Sequence, residues 1–251
     1  MAKEKKYFVD LLKDSFILYS GKLFFLVKAS LCYFIPFLIL DSYFAKNRMF
    51  CVDDAPDGLF ALSIIWIILI LAIFLILSLY YVVVILKAIK YVDEKKNITI
   101  KELYIEALEG FSGYLIVKGY CILKVSLKLL MLVVPGIITL VQYGFASLAY
   151  VIDGKQKGEA LESSRDIIRN CWVQYLDYSL SCLGIFLFLL IPFVVSFDIF
   201  IQAAVMKNIV WLARIVDLIE SCFVLVAAIY LVVFYYHLYK ELKERYILKN
   251  K

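Results

Sequence analysis

The sequence has little of the chemistry on which most enzymes depend. It contains one histidine, and its six cysteines lie far apart without a CxxC pair. A zinc site with the usual cysteine and histidine spacing is therefore not expected. The sequence also lacks a glycine-rich phosphate-binding loop, a GxSxG nucleophile motif and an HExxH motif. We therefore expect no enzymatic activity, no metal site and no cofactor.

Charge is missing from a stretch that is long enough to cross a membrane. The 28 residues from Leu59 to Leu86 include no charged side chain, and a membrane-spanning helix needs about 20 apolar residues. The chain of 251 residues is 64% hydrophobic with a mean hydropathy of +0.88, whereas soluble domains are about half apolar. These values predict a polytopic membrane protein. Basic loops at a membrane then account for the net charge of +5, and we expect no nucleic-acid partner.

Amphipathic segments precede the apolar stretches in three places. In each, residues recur at spacings of three and four, which places them on one face of a helix. The second copy follows the first at an offset of 92 residues, and a weaker third copy follows at a further offset of 60. The positions are Phe8, Leu11, Leu12, Ser15, Phe16 and Tyr19; then Ile100, Leu103, Tyr104, Ala107, Leu108 and Phe111; then Ala160, Ser163, Ser164, Ile167, Ile168 and Cys171. This repeat predicts elbow helices that lie on the membrane surface.

Each predicted elbow helix leads into a pair of spans, the first of which carries a proline within it or at its end. We therefore expect an all-α polytopic membrane protein with six transmembrane helices, arranged as three hairpin repeats in a single domain over residues 1–251. A cytoplasmic amphipathic elbow helix precedes each hairpin. The predicted ranges are elbow 4–20 with spans at about 23–44 and 59–86, elbow 99–112 with spans at about 114–134 and 137–152, and elbow 158–170 with spans at about 172–197 and 213–238.

The distribution of basic residues predicts the orientation. Four segments on the elbow side, residues 1–22, 87–106, 153–169 and 240–251, hold 19 of the 27 Lys and Arg residues. The positive-inside rule places that side in the cytoplasm, so we expect a multi-pass protein of the cell membrane with both termini cytoplasmic. The N-terminal stretch lacks the apolar core and cleavage site of a secretory signal, and we expect it to be retained.

The stretch from Val134 to Ile168 resembles a known family. It combines a proline–glycine break, an apolar span with Tyr143 and Phe145, an acidic–glycine pair and a short helix with a Glu-Ala-Leu sequence and a serine. The motif residues are Pro135, Gly136, Asp153, Gly154, Glu159, Ala160, Leu161 and Ser164. This pattern resembles the membrane domain of the glycerophosphoryl diester phosphodiesterase family and the related YciC-like bacterial integral membrane proteins.

The resemblance covers residues 100–240 best, and it implies six helices with cytoplasmic elbows and no settled activity for the membrane domain. Some members of that family carry a fused phosphodiesterase domain whose catalysis relies on histidines and acidic metal ligands. The single histidine, His237, lies in the aromatic run FYYHLY. We therefore expect the catalytic domain to be absent and His237 to belong to the interfacial aromatic belt.

Polar side chains inside the predicted spans are the best functional clue, because a charged one costs at least about 2.5–3.5 kcal/mol at mid-bilayer unless it meets a partner or water. They are Lys118, Lys124, Lys128, Gln142 and Asp177. The lysines either extend to the headgroups or pair with acidic residues such as Asp177, or they line a cationic cavity for anionic headgroups or an acidic solute. Lys124 lies nearest mid-span and is the hardest to explain by extension to the headgroups.

Two functions stay open at this point. One is a lipid-interacting or transporter-like helical bundle of the inner membrane, with membrane lipids as partners. The other is an accessory or scaffold subunit whose elbow helices dock a cytoplasmic protein such as a transporter ATPase; a homo-oligomer is compatible with both. The third elbow has Ser163 and Ser164 where the others carry larger apolar groups, so it is the elbow predicted to leave the membrane surface and meet a partner.

Overall fold

The computed structural model describes residues 7–46, 57–207 and 209–249. Within these ranges every element is a helix and no strand occurs, which confirms the all-helical class. The helices are α1 (Phe8–Lys46), α2 (Asp57–Asp93), α3 (Ile100–Met131), α4 (Val133–Gln142), α5 (Ala146–Asp153), α6 (Lys157–Met206) and α7 (Val210–Lys249).

Apolar helices of membrane-spanning length indicate a membrane protein. Among the described residues, the stretches long and apolar enough to cross a membrane are Ile68–Asp93, Val133–Asp153, Gly158–Met206 and Trp211–Lys249. The helix α3 is not one of them, because it carries three lysines within 11 residues. Six spans, three repeats and elbow helices remain predictions.

The two longest of the predicted elbow-and-span units are each interrupted by one residue with non-helical backbone angles. In α1 this residue is Lys22 (φ −135°), and in α6 it is Cys171 (φ −132°). The two breaks are 149 residues apart, as are the buried pairs Leu11 with Ala160 and Ser15 with Ser164. The predicted offsets of 92 and 60 would require 152. Burial therefore favours an offset of 57 between the second and third segments.

Helix α3 runs without a break through the predicted junction at Ser112–Gly113. It begins at a capping box, in which the Thr99 hydroxyl accepts from the Glu102 amide and the Glu102 carboxylate accepts from the Thr99 amide. It ends at Leu132, whose backbone is extended (φ −161°). The predicted break at Pro135–Gly136 is therefore displaced, because a proline in the first turn of α4 removes no hydrogen bond that the helix would otherwise make.

The predicted fourth span is not one continuous helix. Residues 143–145 form a turn that separates α4 from α5. Its position in an apolar stretch gave no sequence signal apart from Gly144. The fifth span also differs, because α6 continues past the predicted end at Phe197 to Met206.

The buried core lies at one end of the helices, which we call the basic end and define by residues 87–106, 153–169 and 240–249. Its completely buried aromatic side chains are Tyr114, Phe145, Phe234, Tyr236 and Tyr239. At the opposite end, large apolar side chains of α3, α6 and α7 are exposed, such as Leu130, Phe188 and Trp211. Exposed apolar surface on this scale is what a lipid-facing region requires.

The apolar faces of the N-terminal segments of α1 and α6 pack inside the protein, which differs from the predicted placement on the membrane surface. In α1, Leu11, Ser15 and Tyr19 are buried, and the Tyr19 hydroxyl donates to the carbonyl of Val226 in α7 (3.0 Å). Phe16, predicted on the same face, is exposed. In α6, Ser164 is buried as well.

Candidate functional site

Helix α7 binds the carboxyl end of α5 through a hydrogen-bonded ion pair. The Asp153 carboxylate accepts from the Tyr239 hydroxyl (2.5 Å) and from the Lys243 ammonium (2.7 Å). Tyr239 and Lys243 are four residues apart, so they lie on one face of α7, and the Lys243 ammonium lies 5.8 Å from the centre of the Tyr239 ring. Gly154 follows with φ +68° and ends the helix, a conformation that glycine adopts without strain.

An equivalent contact joins α7 to the end of α2. The Asp93 carboxylate accepts from the Tyr236 hydroxyl and the Lys240 ammonium, both at 2.7 Å. Tyr236 and Lys240 are again four residues apart, and the ammonium lies 5.6 Å from the ring centre. We call the Asp93 and Asp153 contacts the two carboxylate clasps. They hold the ends of two hairpins against a single helix.

A polar cavity of about 530 Å³ lies between α2, α3 and α5 at the basic end. Lys87 of α2 forms its floor, donating to the Glu106 backbone carbonyl and to the Glu106 carboxylate of α3, both at 2.8 Å. The Tyr91 hydroxyl makes a short hydrogen bond to the same carboxylate. The side chain of Lys87 is only 14% exposed, so this ion pair is substantially desolvated.

The remaining walls supply further charge. Lys90 donates to the carbonyl of Ile152 (2.8 Å), and the exposed Glu109 forms no ion pair with any described residue. Side chains or backbone from the three helices that line the cavity include Lys87, Lys90, Tyr91, Glu106, Glu109, Ser112, Tyr150, Asp153, Gly154 and Gln156. The cavity is therefore of mixed charge rather than cationic.

Two glycines of α3 let α5 approach closely. The Tyr150 hydroxyl donates to the carbonyl of Gly110 (2.8 Å), and a methyl group at Gly113 would overlap that hydroxyl. A Cβ atom at Gly110 would lie 3.9 Å from the Lys87 ammonium and 4.0 Å from the Tyr150 hydroxyl. The ammonium and the hydroxyl thus converge at Gly110.

Burial raises the pKa of the Glu106 carboxyl, but the hydrogen bonds from Lys87 and Tyr91 and the positive charges of Lys87 and Lys90 outweigh this effect. The pKa of Glu106 therefore lies below its usual value. The carboxylate is charged at neutral pH and keeps Lys87 in place.

A second cavity, of about 690 Å³, lies beside the Asp93 clasp, between the N-terminal segment of α1, the end of α2 and α7. Its lining includes Asp14, Lys22, Lys95 and His237. The predicted aromatic-belt residue His237 is half-buried there and packs against the Tyr236 ring, with the ring centres 5.5 Å apart.

The break between α4 and α5 is bridged by the N-terminal segment of α6. The Ser164 hydroxyl donates to the carbonyl of Gln142 (2.8 Å) and accepts from the amide of Phe145 (3.1 Å). A Cβ atom at Gly144 would lie 2.5 Å from the Tyr175 hydroxyl, so the turn requires glycine at that position. Ser164 thus satisfies two backbone groups that the interrupted helix leaves without partners.

The structure does not gather the predicted intramembrane cluster into one site. Lys124, Lys128 and Asp177 are exposed, and Lys118 is half-buried with its ammonium 5.9 Å from the Tyr114 ring centre. The Lys124 ammonium lies 5.7 Å from the Tyr143 ring centre, next to Gln142. Among the described residues none of these lysines pairs with Asp177, and neither cavity described above is lined by them.

The motif residues occupy structural positions. Asp153 forms a clasp, Gly154 ends α5 and Ser164 bridges the α4–α5 break. Ala160 and Leu161 are buried in the core. Pro135 lies in the first turn of α4, Gly136 packs against Leu129, and Glu159 is exposed on α6.

Sequence reasoning missed the cavity and both clasps. Two signals were present: Asp93 and Asp153 are separated by the repeat offset of 60, and α7 carries a tyrosine and a lysine four residues apart twice, at 236/240 and 239/243. The lysines at 87 and 90 were counted only as part of a basic loop. Among the described residues, no group of three or more His, Cys, Asp or Glu side chains could hold a metal ion.

Comparisons with protein-family models, with curated proteins and with solved structures found no match to this chain. The resemblance to the glycerophosphoryl diester phosphodiesterase membrane domain therefore stays a prediction from the motif residues.

Proposed function

We propose that the chain is a non-enzymatic integral membrane protein that binds phospholipid at the basic end of its helical bundle. The polar cavity between α2, α3 and α5 carries this proposal. It lies where α2 and α5 change from apolar to charged sequence, which is the level of the headgroups in a spanning protein. Lipid-binding sites at such levels combine basic side chains with an adjoining apolar surface.

The membrane arrangement that fits this function is the six-span one, with the basic end in the cytoplasm and both termini on that side. The breaks at Lys22 and Cys171 and their common spacing to buried residues support equivalent elbow-and-span units at the two ends of the chain. The bias of Lys and Arg toward the basic end supports the orientation. Labelling of single cysteines placed at each loop from either side of sealed vesicles would test it.

The lipid proposal is tested by measuring the phospholipid that remains bound to the protein after exchange into detergent. We expect lipid at about one molecule per chain or more, and less of it in Lys90→Gln, because this change removes a cavity charge that makes no ion pair with another described residue. The matched control is Lys101→Gln, an exposed lysine at the start of α3, which should leave the lipid content unchanged. Wild-type protein without bound phospholipid would refute the proposal.

Docking of a cytoplasmic partner is a second candidate, favoured by the outer face of the N-terminal segment of α6. Its exposed positions include Glu159, Glu162, Arg165 and Arg169, opposite the buried face of the same helix. Charged residues on such a face have no partner to satisfy within the described chain beyond the weak contact of Arg165 with Asp166 (3.7 Å). A stoichiometric soluble partner that is lost in Glu162→Lys would support this function; flux in proteoliposomes that disappears in Lys124→Ala would instead support transport.

A further inference from the structure

The charges of the cavity are arranged in two opposite pairs. Lys87 and Lys90 lie three residues apart on α2, and Glu106 and Glu109 lie three residues apart on α3. Within each pair the side chains share a helix face. One pair of unlike charges, Lys87 with Glu106, is closed by an ion pair, while Glu109 is exposed and Lys90 donates only to a backbone carbonyl. The cavity therefore still offers one cationic and one anionic group to a ligand.

This arrangement selects the charge of the ligand. A headgroup with only negative charge would bring a second anion next to Glu106 and Glu109, which like-charge repulsion disfavours. A headgroup with a phosphate and a primary ammonium matches both free charges, because lysine binds phosphate as a point charge and a carboxylate accepts hydrogen bonds from an ammonium. A trimethylated ammonium has no N–H to donate to that carboxylate.

An apolar track leads out of the cavity along α3. Glu109 and Gly113 line the cavity, and on the same helix face follow Ile116, Tyr120, Leu123 and Leu127, which are 42%, 52%, 56% and 54% exposed. Spacings of three and four residues keep these positions on one stripe. A ligand whose polar group fills the cavity would therefore lay an attached acyl chain along this stripe.

We propose that the cavity binds the phosphoethanolamine group of a phospholipid, with the phosphate at Lys87 and Lys90, the ammonium at Glu109, and an acyl chain along the α3 stripe. This inference rests on the proposed lipid-binding function and names the class of lipid. The volume of about 530 Å³ lies within the range of about 300–1,000 Å³ that is usual for small-molecule sites. The absence of side chains at Gly110 and Gly113 keeps that space open.

The test is a titration of the detergent-purified full chain with phosphatidylethanolamine, phosphatidylcholine and phosphatidylglycerol of identical acyl chains, followed by native mass spectrometry. We expect phosphatidylethanolamine to bind most tightly. Glu109→Gln should raise its Kd about tenfold, as loss of one charge-assisted hydrogen bond predicts, and should leave the Kd of phosphatidylcholine nearly unchanged. Lys90→Gln should raise the Kd of all three lipids, and Lys101→Gln should change none.

Three results would overturn the inference. They are tighter binding of phosphatidylglycerol than of phosphatidylethanolamine, an unchanged Kd for phosphatidylethanolamine in Glu109→Gln, and binding of soluble phosphoethanolamine as tightly as the lipid, which would make the ligand a free solute. Failure to bind any phospholipid would instead refute the proposed function itself. Because Glu109 is exposed, its replacement is not expected to disturb folding.

Discussion

Replacing Asp153 by asparagine tests how the bundle is held together at its basic end. The change keeps the shape of the side chain and one oxygen that can accept from Tyr239, but it removes the charge that faces Lys243 at 2.7 Å. Asp93→Asn is the matched control, because it makes the same change in the other clasp, where the ion pair with Lys240 has the same length. The two clasps differ mainly in exposure.

Exposure sets the expected size of the effect. In the Asp153 clasp the aspartate and lysine side chains are 12% and 31% exposed, whereas in the Asp93 clasp they are 22% and 43% exposed. Breaking a buried ion pair costs about 3–5 kcal/mol, and breaking an exposed one costs about 0.2–1 kcal/mol. We expect Asp153→Asn to lower the free energy of unfolding by about 2 kcal/mol, because Lys243 can partly turn to solvent, and Asp93→Asn to lower it by about 1 kcal/mol.

The measurement is equilibrium unfolding in mixed micelles, followed by the fluorescence of the three tryptophans. Glu159→Gln, at an exposed position of α6 without a printed ion-pair geometry to lose, should shift the free energy by less than about 0.5 kcal/mol. Equal losses in the two aspartate variants would refute the reasoning that burial determines the strength of each clasp. A larger loss in Asp93→Asn would reverse it.

Three further variants or conditions have defined outcomes. Ser164→Ala should cost about 1–3 kcal/mol, because it leaves two backbone groups at the α4–α5 break without their partner, measured by the same unfolding assay. Gly113→Ala should cost about 1–3 kcal/mol by overlap with the Tyr150 hydroxyl, and Tyr150→Phe should restore part of the loss in the double variant. Since the pKa of Glu106 is lowered from 4.5, its stabilisation is present above that pH and is lost as the pH falls further, so melting temperatures measured below pH 4.5 should fall more steeply in wild type than in Glu106→Gln.

The sequence predicted the class of the protein and the helix faces well, because both depend on local patterns. A run without charge is visible directly, and spacings of three and four residues located buried positions such as Leu11, Leu103 and Ala160. The same pattern could not tell whether such a face meets lipid or protein. Phe16 and Leu108 continue the periodicity of their segments and are nevertheless exposed, since the face that α7 and its neighbours can cover is narrower than the apolar stripe.

Sequence reasoning was weakest where the backbone departs from a helix. Pro135 suggested a break at its own position, but the chain turns at Leu132 and uses the proline to begin α4. The turn at residues 143–145 depends on Ser164, which is about twenty residues further along the chain and supplies the hydrogen bonds. A serine in an amphipathic segment signals only reduced apolarity, so its role becomes visible only when both segments are placed together.

The two clasps show why the repeat matters to the fold. Asp93 and Asp153 are 60 residues apart, yet their partners on α7 are Tyr236 and Tyr239, three residues apart. Three residues rise about 4.5 Å along a helix, so the ends of α2 and α5 lie about one turn apart beside α7. The connection after Asp93 has six residues and the one after Asp153 has three, which accounts for the offset of 57 in the helices that follow. Helix α7 therefore fixes the relative height of two hairpin ends, and with it the shape of the cavity that lies between α2, α3 and α5.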